Sequence, residues 1–189
     1  MRLPNWDSVR DLVDRSELWS EFIYRKKLDS TNRYLRNEED LGPGTVVLAD
    51  KQSHGHGTGA RKWYSPRGGL WFSFLLKGIP AGSPQDLYID LLNIVQDILE
   101  KYGVETSVSR PNDLVVDGKK IAGLLIEESS GSYIVGIGIN VNNEASGLPE
   151  VVKNNSTTTK DVTGKEINRT EILRDFLARF EDFYQNQCQ

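Results

Sequence analysis

Asp50-Lys-Gln-Ser-His-Gly-His-Gly-Thr-Gly-Ala-Arg-Lys-Trp63 sets glycines at positions 55, 57 and 59 between polar residues, then a basic pair and a tryptophan. Both histidines of the protein, His54 and His56, lie inside it. Alternating glycines relax the backbone and let several N–H groups face one side, which is how a loop wraps an anion or a polar ligand. A solvated surface loop needs no such ligand, so the pattern alone leaves both readings open. The apolar runs Thr45 to Ala49 and Leu70 to Leu76 on either side read as strands, and the loop therefore joins two strands. No Gly-Lys-Ser/Thr closes it and no helix follows, which excludes a Walker loop and a Rossmann fingerprint. The two histidines have no third ligand beside them in sequence, which argues against a metal centre there.

Working outward, Leu70 to Leu76 is apolar at nearly every position and is expected to be covered on both faces, inside a sheet. Ser83-Pro84 supplies a cap and a first-turn proline for a helix whose stripe is Leu87, Leu91, Ile94, Val95, Ile98 and Leu99, ended by Gly103. Val104 to Arg110 reads as a strand. Leu114 to Val116 begins a hairpin that turns at Asp117-Gly118 and returns through Lys119 to Glu127, and Tyr133 to Val141 continues the meander. Asn142 to Thr159 reads as polar loop. Asn168 with Glu171 announces a last helix carrying Ile172, Leu173, Phe176, Phe180 and Phe183. Towards the N-terminus, Trp6, Val9, Leu12 and Val13 are spaced for a short helix. Glu21 to Leu28 reads as a strand running into Asp29-Ser30-Thr31-Asn32, where Ser30 or Asp29 either caps a helix or holds a polar ligand.

With 189 residues, 38% of them hydrophobic, the chain can bury the core of one domain. A net charge of −4 argues against nucleic acid as a partner. No apolar run approaches the length of a membrane span. The single cysteine, Cys188, rules out internal disulfides, and the start of the chain lacks the apolar core of a signal peptide, so a reducing cytoplasm is expected.

Five polar stretches recur in order: Ser30-Thr31-Asn32; Gln52 with Gly55-His-Gly-Thr-Gly-Ala-Arg61-Lys-Trp63; Ser109-Arg-Pro-Asn-Asp113; Lys120-Ile-Ala-Gly-Leu124; and Gly136-Ile-Gly-Ile-Asn140. In this register, over about residues 24 to 185, they resemble the catalytic domain of biotin protein ligases, whose pattern runs Ser-Thr-Asn, Gln with Gly-Arg-Gly-Arg-x-Gly-Arg-x-Trp, Lys-Trp-Pro-Asn-Asp, Lys-Leu/Val-Ala/Ser-Gly-Ile and Gly-Ile-Gly-Ile-Asn. The resemblance implies an α+β fold, a mixed and mostly antiparallel sheet with helices packed mainly on one face. It also implies a single catalytic domain over 1–189, without the N-terminal DNA-binding domain or the C-terminal small β-barrel of other members.

The activity so implied has two steps. The biotin carboxylate attacks the α-phosphate of ATP, with Mg²⁺ on the leaving pyrophosphate, and a lysine of a biotin carboxyl carrier protein then attacks biotinyl-5′-AMP. By similarity, Ser30, Thr31 and Gln52 hold the polar end of biotin, with Asn32 in the same motif, and Gly123 admits the ligand close to the backbone. Lys120 bridges the carboxylate and the α-phosphate, and Arg61 meets phosphate. Asn112 and Asp113 stand near nucleotide and metal, Asp113 being the expected Mg²⁺ ligand, and Asn140 stands on the adenine or ribose side. Gly55, His56, Gly57, Thr58 and Trp63 complete the loop over the ligand. Read without the resemblance, Lys120 is a solvated hairpin lysine like Lys119. A homodimer remains open as an assembly.

The departures fall together: His56 and Thr58 replace two loop arginines, Ala60 a glycine, and Ser109-Arg110 a Lys-Trp pair, so that cations are lost around the phosphates and only Arg110 partly compensates. Two alternatives follow, an acyl-adenylate former using another carboxylic acid, or a paralogue that binds biotin or a nucleotide without turnover. Against lipoate as the acid, the chain lacks an Arg-Arg-x-Ser-Gly-Gly run.

Overall fold

The computed structural model describes residues 5–79, 82–109, 111–129, 131–144 and 148–187. The expectations placed on Arg110 and Cys188 lie outside the described residues. Seven strands form one sheet in the order β1-β2-β3-β7-β6-β5-β4. They are β1 (Glu21–Arg25), β2 (Thr45–Ala49), β3 (Leu70–Leu76), β4 (Ser107–Ser109), β5 (Asp113–Val116), β6 (Lys119–Ser129) and β7 (Ser132–Ile139). β1 and β2 run parallel and every other pair antiparallel, the mixed sheet expected.

Alternation sorts the two faces. Val46, Leu48, Phe72, Phe74, Leu124, Val135 and Ile137 point into a large core shared with α1 (Asp7–Val13), α3 (Pro84–Lys101) and α6 (Arg169–Gln187). On the opposite face Val47, Leu75 and Ile134 form a smaller core with Leu35 of α2 (Thr31–Asn37). Helices therefore do lie mainly on one face, and the other face is left with room for a site.

β3 is buried along its whole length, because helices cover one side and α2 and the glycine loop the other. Ser83 and Asp86 close a capping box at the start of α3. At its end Val104 donates to the Leu99 carbonyl across Gly103, whose φ is 79°, so Val104 belongs to the helix terminus. For that reason β4 is shorter than Val104 to Arg110. The turn Asp117-Gly118 has φ of 49° and 76°, the left-handed pair of a two-residue hairpin. β1 stops at Arg25, and Leu28 keeps only a bridge to Gln52.

The segment read as loop, Asn142 to Thr159, needs correcting: it contains α4 (Glu150–Asn154) and opens α5 (Thr159–Thr163). One turn of helix is too short to leave a periodic signal. What holds it is backbone pairing to the sheet, Lys120 N–H to the Asn155 carbonyl and Thr157 N–H to the Lys120 carbonyl, which side-chain pattern does not encode.

Candidate active site

A cavity of about 560 Å³ opens on the helix-poor face, in the range of small-molecule sites. Register explains its floor. Trp71, Gly138, Gly123 and Asp113 stand opposite one another across four strands, and Ser73, Gly136 and Leu125 form the next row. The glycines leave out the side chains that would fill the space. A Cβ on Gly138 would lie 2.7 Å from the Trp63 ring, and one on Gly136 would lie 2.2 Å from Asn32 Oδ1.

The glycine loop is a tight hairpin. His56 and Lys62 bridge, Gly57 N–H donates to the Arg61 carbonyl at 2.7 Å, and a 3₁₀ turn, Thr58–Ala60, makes the tip. Gly55 is buried at its root, where a Cβ would meet the Trp63 carbonyl at 2.6 Å. Trp63 lies on the floor edge-on to Trp71, its indole N–H buried and without a hydrogen-bond partner among the described residues.

Ser30 caps α2, accepting from Arg33 N–H at 3.4 Å, and it also lines the cavity, so the cap does not remove it from the site. Gln52 Oε1 accepts from Thr31 N–H at 2.8 Å, and Gln52 Nε2 donates to Ser65 Oγ at 2.7 Å. Thr31, Ser73 and Asn32 form a buried chain of hydrogen bonds. Asn32 Nδ2 donates to Glu127 at 2.8 Å, so its amide is already engaged within the wall.

At the other end, Lys120 Nζ lies 4.8 Å above the Trp63 ring and 2.7 Å from Asp113 Oδ1, close without the alignment of a hydrogen bond. Asp113 does not line the cavity; it meets it through Lys120. Asn112 spends its amide N–H groups on the Leu124 carbonyl and, at 3.3 Å, on Thr58 Oγ1, which braces the hairpin tip. Arg61 Nε donates to the Thr58 carbonyl at 3.1 Å, and the side chain is exposed at the rim. Asn140, buried, reaches the Lys120 carbonyl at 3.4 Å and accepts from Asn143.

Of the expected site residues, Ser30, Thr31, Asn32, Gln52, His56, Gly57, Thr58, Arg61, Trp63, Asn112, Lys120, Gly123 and Asn140 all line this one cavity, while Gly55 and Asp113 stand behind the wall. Sequence reasoning missed Leu148, Val151 and Val152, which close the Asn140 end. The pair Val151-Val152 in a polar stretch was the available signal. It also missed Glu127, whose carboxylate takes Arg36 at 2.6 Å and His56 Nε2 at 3.5 Å besides Asn32. Burial works to raise the Glu127 pKa, but the bonds from Asn32 and Arg36 outweigh it and hold the carboxyl below its ordinary range.

Residues 24–143 match the model of the biotin/lipoate A/B protein ligase family, which is most of the chain and includes the wall except its Leu148 to Ser156 end. The chain belongs to that family. Among ligases of the family, the bifunctional ligase/repressor BirA of Bacillus subtilis is 34% identical over 174 residues, covering 87% of this chain and 54% of the relative. The biotin–[acetyl-CoA-carboxylase] ligase of Mycobacterium tuberculosis is 27% identical over 91% of this chain and 69% of its own. The solved structure of the Aquifex aeolicus biotin protein ligase in complex with biotin and ATP superposes with a TM-score of 0.81 at 37% identity, over 89% of this chain and 72% of that one. The chain spans about half the length of the first of these ligases.

Proposed function

We propose that this chain joins biotin to ATP as biotinyl-5′-AMP and passes the biotinyl group to a lysine of a biotin carboxyl carrier protein. The observation that carries the proposal is a single cavity in which an ammonium, Lys120, stands between a wall of hydroxyls and amides at one end and a patch of backbone and small apolar groups at the other, under a glycine hairpin. Ser30, Thr31 and Gln52 are the wall that suits the polar ring of biotin. Asn112, Asn140 and the apolar edge of Val151 and Val152 suit a nucleoside.

In the first step a carboxylate oxygen attacks the α-phosphorus and pyrophosphate leaves with the electron pair of the broken P–O bond. Charge builds on phosphoryl oxygens, so positioned cations and N–H donors do most of the work. Lys120 can reach both carboxylate and phosphate, Arg61 can swing in from the rim, and the Gly57 and Gly59 backbone stays supple enough to wrap the phosphates. In the second step a neutral lysine amine attacks the acyl carbon, an amide forms, and AMP leaves.

Among the described residues no group of three His, Cys, Asp or Glu side chains could hold a metal ion. Asp113 stands behind the wall with Lys120 against it, so it would serve Mg²⁺ only through water or once Lys120 turns to the ligand, the ion being held mainly by ATP phosphates and water. When bound, Mg²⁺ would neutralise the leaving pyrophosphate. Asp113→Asn is then expected to raise the Mg²⁺ concentration giving half-maximal rate by about tenfold and the biotin requirement by less than about twofold, read from exchange kinetics. Equal rises in both would make Asp113 a structural partner of Lys120.

Thr58 offers one hydroxyl, already on Asn112, where family members carry an arginine. The adenylate is therefore expected to be held loosely and to label bystander proteins. Thr58→Arg should slow dissociation of preformed biotinyl-5′-AMP about tenfold, the worth of one charge-assisted hydrogen bond, and should lower bystander labelling. If neither changes, retention does not depend on this position.

The test of the whole reading is biotin-dependent exchange of pyrophosphate into ATP. Exchange with another carboxylic acid alone would move the assignment to that acid, and binding without exchange would make the chain a non-catalytic paralogue. Cytoplasmic location, a homodimeric state and the lack of a nucleic-acid partner belong to the same proposal. No described helix is long and apolar enough to cross a membrane.

A further inference from the structure

Among the described residues, the tethers that hold the glycine hairpin over the cavity include Trp63 on the glycine floor, Thr58 on Asn112, and, third, His56 on Glu127. The third differs from the others. Glu127 lies on the cavity face of β6, one row beyond Leu125, opposite Ile134 of β7. Its two carboxylate oxygens are divided between elements. Oε1 takes Arg36 of α2 at 2.6 Å, and Oε2 takes Asn32 of α2 at 2.8 Å with His56 of the hairpin 3.5 Å away. His56 is mostly buried, lines the cavity, and has its other ring nitrogen, Nδ1, buried with no hydrogen-bond partner among the described residues. The imidazole is thus fastened from one end only, by Glu127.

We propose that Glu127 is the positioning residue that keeps the glycine hairpin closed over the ligand, through His56, and that it ties this closure to the α2 wall through Asn32. The proposal rests on the reading of the cavity as an acyl-adenylate site. Asn32 is bonded on through Ser73 to Thr31 and so to Gln52. A ligand pressing on that wall therefore bears on the same carboxylate that holds the lid. Arg36 keeps the carboxylate ionised and in place without touching the hairpin. Glu127 itself does not line the cavity and need not contact substrate.

A double-mutant cycle separates this from a carboxylate that merely anchors α2. Glu127→Gln and His56→Leu are each expected to speed dissociation of preformed biotinyl-5′-AMP about tenfold, raising KM for the acid more than they lower kcat. The double variant should be no faster than either single one, because both remove the same tether. In the ligand-free protein, amide hydrogen exchange across residues 55–61 should rise in parallel in all three variants, which tests the tether even if the chain forms no biotinyl-5′-AMP. Glu127→Asp, which draws the carboxylate back by one methylene, serves in the cycle if Glu127→Gln does not fold. Multiplying effects, or hairpin exchange unchanged by His56→Leu, would overturn the proposal.

Discussion

Lys120→Ala is expected to fold as the parent does and to lose biotin-dependent pyrophosphate exchange by at least about a hundredfold, the scale of removing a positioned charge from a transition state. The side chain is a third exposed and belongs to no core, so its removal leaves no cavity. It does leave the Asp113 carboxylate, already short of a hydrogen-bond partner, without its cation. That carboxylate is partly solvated, which keeps the stability loss small. The backbone of residue 120 still pairs with Asn155 and Thr157, so α4 stays in place. Equal melting temperatures with collapsed exchange would identify Lys120 as the catalytic ammonium. Exchange within about twofold of wild type would return it to an ordinary hairpin lysine.

The second large effect is on stability. Arg169 opens α6 with its side chain 5% exposed, and it holds both roots of the glycine loop: it donates to the Gly69 carbonyl at 2.7 Å and pairs with Asp50 at 3.5 Å. Asp50 in turn accepts from Tyr24 at 2.6 Å, and the Tyr24 pKa is pushed up to about 12 by burial and then by this carboxylate. Removing one partner of a buried pair strands the other, so Arg169→Ala should cost about 3–5 kcal/mol and lower Tm by roughly 6–20 °C. The double variant Arg169→Met with Asp50→Asn should recover a good part of that loss, since neither charge is then left alone. If the double variant is as unstable as the single one, packing against Trp6 and not the charge pair is what Arg169 supplies.

Much of this was legible along the chain. β3 and α3 follow from an unbroken apolar run and a capped stripe, and the motif order brought residues from α2, the glycine loop, β6 and β7 to one cavity before any geometry was known. The parts that were not legible share a cause. α4 is one helical turn held by backbone bonds to Lys120, and backbone bonds carry no residue signature. Glu127 looks like any strand glutamate until β6 and α2 are placed face to face. Asp113 was expected beside nucleotide and metal from the resemblance; it does lie in register with Gly123 on the cavity face of the sheet, but Lys120 Nζ, 2.7 Å from its carboxylate, screens it from the cavity, and that cover is a side-chain placement no motif encodes. Strand order likewise came from resemblance, since alternation fixes faces and not neighbours.

The central claim is tested most directly by mass spectrometry of the small molecules formed when the purified chain is incubated with Mg-ATP and biotin, with lipoate and octanoate as parallel acids. The account predicts biotinyl-5′-AMP, formed with pyrophosphate and absent when Lys120 is alanine. An adenylate of lipoate or octanoate with none of biotin, or no adenylate from any of the three, would contradict it.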